Sequence, residues 1–343
     1  MINEKKILVL KNDRAGDLFT SLKLISTLIR DSKRIKIYLS EFNFSFNFFF
    51  KEIKIKKINY NLNLFDKLKI IKEIFQNKYS DIYILSPKNF YFFLPLIFRN
   101  IRFYAIVYEG KKRNRPNNFL KKFLHKYQTV NRYKLNEFSY KQLQEKLIDN
   151  NAILDNDYSN LHLPKINKKI LDLVPKNYIF FQFRYKFFEK LNWDTNKIEI
   201  FINFLKKRYE NVLFCSDIEK NNKSFFYNNF FEKNFSIIDL NNNIKKINTK
   251  NNNIFFLKEL SGEDMFFIIK MSQMAIAKEG LVSHISFFHN VKCHNLFNFK
   301  INSKEDILHE KISYSEWCKG MKFTFSFLNE NIEKSIKKIE KFI

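Results

Sequence analysis

One alternation, occurring twice, constrains this chain more than any other feature. Short runs apolar on both faces are followed by segments with helical spacing. Ile7–Leu10 is the first such run, of the kind found in parallel strands buried on both faces. Leu18, Leu22, Ile25 and Ile29 then recur at helical spacing. Arg34–Leu39 reads as the next strand, and Phe65, Leu68, Ile71 and Phe75 as the stripe of another helix. Asp81–Leu85 and Arg102–Val107 are further strands. The pattern restarts past Pro164 and Pro175. A strand at Tyr178–Phe183 precedes a helix lined by Ile198, Phe201, Ile202 and Leu205, with Asp194 as its cap. Strands follow at Asn211–Ser216 and Phe235–Asp239, then an Asn/Lys-rich loop at Lys245–Asn253. Glu263–Met271 is helical, Met274–Ala277 a strand, and a helix begins near Ser283. Strands and helices alternating in both halves predict an α/β chain of two doubly wound units.

At 343 residues there is material for two domains of ordinary size. The expected division is 1–165 and 166–327, with 328–343 as a C-terminal helix. Ile332, Ile336, Ile339 and Ile343 share one face of that helix, and Glu330–Lys334 and Glu333–Lys337 add i,i+4 pairs. It is expected to pack on the protein body, with the N-terminal domain as the surface it returns to.

Lys and Arg number 61 against 35 Asp and Glu, a net charge of +26. Such a field attracts phosphates, nucleic acid or anionic lipid. The chain also holds 42 Phe and only 5 Gly, the usage of an A/T-rich coding sequence, which enriches Lys whatever the function. Charge alone therefore selects no partner. Cys215, Cys293 and Cys318 lie far apart, which excludes a disulfide framework or zinc ribbon and suits a reducing compartment. His284, His289 and His294 recur every five residues, a spacing that frames no metal site, so no metal is expected. The N-terminal apolar run is too short for a signal peptide. The greasiest stretch, Asn89–Phe98, is too short to span a bilayer and holds Pro95. A cytoplasmic protein follows, soluble or peripheral on the inner membrane. The segment Tyr108–Gln128 is the densest basic stretch and interleaves aromatics, which suits anionic headgroups or single-stranded nucleic acid. GxxxxGK(S/T), GxSxG and GxGxxG are all absent, which removes the P-loop and the hydrolase elbow and weakens a dehydrogenase reading.

The first strand leads into "KNDRAGDLF", Lys11 to Phe19. Gly16 is expected to let the backbone turn or approach a ligand closely. Asp17 then sits at a helix start. It can be a cap or first-turn acid, stabilised by free amides, or an acid facing a ligand beyond the strand end.

This stretch resembles the N-terminal motif of the family 9, heptosyltransferase-like glycosyltransferases. That family joins a strand to (N/R)D-R-x-GD and an amphipathic helix. Its usual proline is replaced here by Ser21 and Leu22. The resemblance implies a GT-B fold, two Rossmann-like domains facing across a cleft, with the acceptor on the N-terminal one and the sugar nucleotide on the other. It makes Asp17 the catalytic base, with Asp13 the alternative, and places Arg14 and Gly16 at the acceptor. "KEGLVSH", Lys278 to His284, resembles the family's D-(S/T)-G-x-x-H, with the acid directly before the glycine and one extra residue before the histidine. The resemblance puts Glu279, Gly280, Ser283 and His284 at the donor. Lys190 and Trp193 match a weaker lysine–tryptophan element, and Arg184 lies just past its strand; both cations become donor-phosphate ligands. The implied reaction is inverting and metal-independent. It needs no cofactor beyond an ADP-linked or similar sugar-nucleotide donor, and its acceptor is a lipid-linked glycan such as a lipopolysaccharide core. No specific nucleic-acid partner is expected. The competing reading is a basic RNA- or membrane-binding protein on an inactive scaffold of this kind.

Overall fold

The computed structural model describes residues 5–32, 34–109, 116–131, 138–148, 158–164, 172, 174–182, 185–215, 236–241, 244–248, 253–257, 260–278, 280–298 and 323–343. Arg184, Glu279, Cys318 and residues 110–115 of the basic stretch lie outside them. Described residues up to Pro164 form one compact unit and those from 172 onward a second.

The first unit runs β1 (Lys6–Lys11), α1 (Ala15–Asp31), β2 (Arg34–Ser40), a 3-10 segment (Asn43–Phe50), β3 (Lys54–Ile58), α2 (Leu64–Asn77) and β4 (Asp81–Ile84). A second 3-10 segment (Asn89–Phe93), α3 (Leu94–Ile97), β5 (Arg102–Glu109), α4 (Asn118–Lys121), β6 (Lys126–Asn131) and α5 (Tyr140–Glu145) follow. The six strands are parallel in the order β3-β2-β1-β4-β5-β6. This is the Rossmann order, which reverses between the first and fourth strands. Leu8, Leu10, Ile82, Ile84, Phe103 and Val107 form the sheet side of one core, covered by Ile70, Ile74, Tyr91, Phe92, Leu94 and Leu120 from the crossovers.

The helix expected from Phe65, Leu68, Ile71 and Phe75 is present, but that stripe is its outer face. Phe65 is 73% and Phe75 79% exposed, while Ile70 and Ile74 are buried. Spacing reveals a helix but not which of two stripes turns inward. Asp66 and Glu73 decide it, because both are buried and find partners on the inner side. Asp66 accepts from Asn59, and Glu73 from Lys36, Lys56, Tyr38 and Tyr79.

The second unit runs β7 (Ile179–Gln182), α6 (Tyr185–Lys190), α7 (Thr195–Arg208), β8 (Asn211–Cys215), β9 (Ser236–Asn241), β10 (Ile244–Asn248) and β11 (Asn253–Leu257). Then come α8 (Gly262–Met271), β12 (Met274–Lys278), α9 (Leu281–Phe288), β13 (Lys292–Asn298), β14 (Phe323–Leu328) and α10 (Ile332–Glu340). The sheet order is β14-β13-β12-β7-β8-β11-β10-β9. Among the described strands β10 pairs antiparallel with both β9 and β11, and the other pairs are parallel; without β9 and β10 the order repeats that of the first unit. Asp194 caps α7, accepting from the Lys197 amide at 2.9 Å. One expectation is corrected. The Asn/Lys-rich segment contains strand β10, because a ladder is made by the backbone and polar composition does not forbid it. The C-terminal helix buries Ile332 and Ile339 in the second unit's core, beside Leu205 and Leu328.

Candidate active site

In an open parallel sheet, ligands bind beyond the carboxyl ends of the strands where the order reverses. In the first unit that point lies between β1 and β4. The wholly buried Lys11 ends β1, and its Nζ donates to the Asp13 carboxylate at 2.7 Å. The Asn43 side-chain amide donates to the Lys11 carbonyl at 2.8 Å and to Asp13 Oδ1 at 3.2 Å. The Ser40 hydroxyl donates to the Asp13 carbonyl. Asn12 accepts from the Tyr91 hydroxyl at 2.9 Å and donates to the Asn59 carbonyl at 3.1 Å. Past β4, the Leu85 and Ser86 amides both donate to the Leu10 carbonyl. The loop is thus braced from three sides, and both Asp13 oxygens are occupied.

Helix α1 begins at Ala15, with Arg14 as an exposed N-cap that makes no side-chain cap bond. Gly16 lies inside the first turn. The only positive-φ glycine among the described residues is Gly280, so the expectation that Gly16 turns the chain is corrected. Asp17 is the first-turn acid. Its residue surface is still partly open, yet protein atoms crowd the carboxyl and push its pKa up to about 6. The nearby Asp13 charge raises it further, while Lys11 and the Arg14 amide and charge oppose. Among the described residues no side chain donates to this carboxyl. Asp13 is a bound structural anion; Asp17 is a carboxylate poised to exchange a proton.

Lys88, four residues past β4, completes the cluster and was not singled out in the sequence. Its Nζ lies 3.8 Å over the Tyr60 ring. Burial lowers its pKa, and the facing charges of Asp13, Asp17 and Glu41 counter that. The signal was positional: a lysine just beyond the strand that pairs with β1 on the side where the order reverses.

In the second unit the corresponding point lies between β7 and β12. Gly280 connects β12 to α9 with φ 136°, a conformation that L side chains rarely adopt. The first N–H groups of a helix have no partner within it and face whatever lies before the turn. Ser283 is buried and donates to Asn295 on β13. His284 is buried, and its amide donates to the Gly280 carbonyl at 3.2 Å. The Ser283 hydroxyl is therefore engaged within the unit, and what this turn offers a ligand is backbone. Lys190 is exposed at the end of α6. Trp193 belongs to the core: its indole N–H donates to the Asn329 carbonyl at 2.8 Å, and its ring stacks on Phe188. His294 is buried between Thr324 and Ser326, at 2.6 Å and 3.1 Å, and burial lowers it to about 4. His289 packs on Phe266 and is also lowered by burial to about 4.

No family model and no curated protein sequence matches this chain. Solved structures match it by fold. A family 9 glycosyltransferase from Veillonella parvula superposes with a TM-score of 0.61 at 11% identity, covering 100% of this chain and 91% of that one. The E. coli ADP-heptose lipopolysaccharide heptosyltransferase II gives 0.60 at 12% identity, covering 98% of each chain. A UDP-GlcNAc 2-epimerase from Methanocaldococcus jannaschii gives 0.56 at 14%, covering 98% and 92%. The chain has the GT-B fold, built from two Rossmann-like units.

Proposed function

We propose that this protein is an inverting glycosyltransferase that moves a sugar from a nucleoside-diphosphate donor to a hydroxyl on a surface-glycan acceptor. The observation that carries the reading is Asp17. It stands where the first sheet's order reverses, is raised to about 6, and has no side-chain donor on its carboxyl among the described residues, while its neighbour Asp13 is fully bound. A base of that kind works near neutral pH. Similar folds that handle ADP-heptose and UDP-GlcNAc support a nucleotide-diphosphate sugar as donor. The resemblance of the Asp13–Asp17 and Gly280–His284 segments favours heptose or a like sugar, and a lipopolysaccharide-core or related acceptor.

In this reading the Asp17 carboxylate takes the proton of the acceptor hydroxyl. The acceptor oxygen forms its bond to the anomeric carbon as the bond from that carbon to the diphosphate oxygen breaks. The diphosphate leaves with the electron pair. The first-turn amides of α9, exposed by the Gly280 turn, stabilise that charge. Lys190, with Arg184 and Glu279, complete the donor site, and Arg14 and Lys88 hold an anionic group of the acceptor. In this reading backbone amides and cations carry this stabilisation.

The test pairs a thermal-shift panel of ADP, UDP and GDP with turnover of the cognate sugar nucleotide. A native-state ligand raises Tm. One nucleotide should stabilise the wild type and Asp17→Asn equally, while Asp17→Asn loses transfer. Epimerisation of the donor without an acceptor, or full transfer by Asp17→Asn, overturns the reading.

A further inference from the structure

We infer that the crossover layer of the first unit docks this protein on an anionic lipid surface. This goes beyond sugar transfer and does not depend on it. Helix α2, the 3-10 segment with α3, and α4 all pack their inner sides on one core of the sheet. They form one layer there, and Lys67 of α2 lies over the Phe90 ring of the 3-10 segment. The outer side of this layer is apolar. Leu64, Phe65, Leu68 and Phe75 of α2, Phe93 and Ile97 of the next crossover, and Phe119 of α4 are each more than half exposed. Among the described residues of the second unit the exposed large apolar residues, Ile200, Met271, Phe325 and Phe342, are scattered along the chain. Isolated exposures of that kind are ordinary, whereas a contiguous apolar patch marks an interaction surface.

Charge selects the occupant. Between Asn61 and Tyr79 the only acids are Asp66 and Glu73, and both are buried and hydrogen-bonded inward. Residues 86–101 and 116–125 contain no acid at all. Lys69, Lys72, Lys78, Arg99 and Lys122 are exposed on these same segments. The outer sides of these segments are therefore apolar and cationic, with no exposed carboxylate of their own, the composition that seats a surface at the headgroup–acyl boundary of an anionic bilayer. A second copy of this chain fits worse, because pairing two such faces would bring like charges together. Phe65 and Phe75 lie on the outer face of α2, where a soluble helix carries polar residues.

The experiment is co-sedimentation of the full chain with vesicles of phosphatidylcholine carrying about one third phosphatidylglycerol, and with pure phosphatidylcholine. Binding is expected to the first only, and to weaken as salt rises. Phe65→Ser with Phe75→Ser should lower partitioning by about tenfold or more, and Lys69→Gln with Lys72→Gln by about fivefold per lysine. All four side chains are exposed, so both variants keep the wild-type Tm. Asp17→Asn should bind vesicles as the wild type does, so failure of the transfer reading leaves this result standing. Equal binding to both vesicles, no binding to either, or a dimer in light scattering that the Phe65→Ser, Phe75→Ser variant dissolves would overturn the proposal.

Discussion

Asp17 and Glu73 are two carboxylates of the same unit on opposite sides of its sheet, and their surroundings drive them in opposite directions. Burial raises both. At Asp17 the nearby Asp13 adds to the rise, and the carboxyl is pushed to about 6. At Glu73 hydrogen bonds from Lys36, Lys56 and Tyr79 outweigh burial and hold it at about 2. Burial also lowers Lys36 despite its bond to Glu73, so the strength of this network is better read from Glu73, where several donors converge. A fully satisfied acid is a piece of structure. An acid desolvated by its surroundings and set beside a second carboxylate has chemistry available to it. The largest expected effect tests this contrast. Asp17→Asn should lower kcat by about a thousandfold with nucleotide affinity unchanged, measured by single-turnover transfer and by calorimetry. Glu73→Gln should leave kcat within about twofold of the wild type. Loss of turnover in both variants would erase the distinction.

The converse holds for stability. Glu73→Ala leaves Lys36 and the Tyr38 and Tyr79 hydroxyls without their shared acceptor, and should cost about 1–3 kcal/mol in urea unfolding. The sign with pH follows from the lowered carboxyl. Its contribution is fully present above the unfolded value of 4.5 and is lost as pH falls toward about 2. Wild type and Glu73→Ala should therefore converge in stability as the pH drops through that window. A gap that stays constant would mean that the network contributes nothing through its charge.

Much of the fold was legible because parallel strands buried on both faces announce themselves as unbroken apolar runs. β1, β2, β4, β5, β7, β8 and β12 were visible in this way. β3, KIKKI, and β10, IKKIN, were not, because lysines dominate them and their place in a sheet is set by neighbours. The direction of α2 was illegible for a related reason: two apolar stripes compete, and only the partners of Asp66 and Glu73 choose between them. At the site, the order strand–loop–acid was readable, but the division of labour between Asp13 and Asp17 was not. It depends on Lys11 and Asn43, and Asn43 is 30 residues from Asp13 in sequence. Lys88 was hidden for the same reason, since only the pairing of β4 with β1 brings it near Asp17.

A smaller effect is expected in the second unit, where the turn after β12 offers backbone and the first unit offers side chains. A Cβ at Gly280 would meet nothing within 4 Å, so crowding is not the issue. The cost of Gly280→Ala lies in φ 136°, and relaxing it would re-aim the first amides of α9. Nucleotide affinity should fall about tenfold, at a stability cost of roughly 1–3 kcal/mol, with the pH dependence of turnover unchanged. Titration calorimetry beside a pH–rate profile separates the two. A shifted profile with intact affinity would assign the turn to the proton-transfer side of the reaction.

The smallest effect is a gain. Asp17 carries a pKa raised from 3.8 to about 6, so the folded state holds a proton that the unfolded state has released between those values. Stability therefore declines as pH rises through that window and stays lower above it. Asp17→Asn removes the charge and should be the more stable protein above pH 6, with no advantage below pH 4. Because Asp17 keeps part of its surface in water, the gain is about 1 kcal/mol or less, a rise in Tm of roughly 2–4 °C. The wild-type kcat/KM should show an acidic limb near pH 6 over the same interval. One group would then account for a loss of stability and a gain of activity across the same pH range, the trade expected where a site holds a charge that the fold would rather leave protonated. If Asp17→Asn gains nothing at high pH, the carboxyl is freely solvated, and its fitness as a base at neutral pH has to come from the bound acceptor.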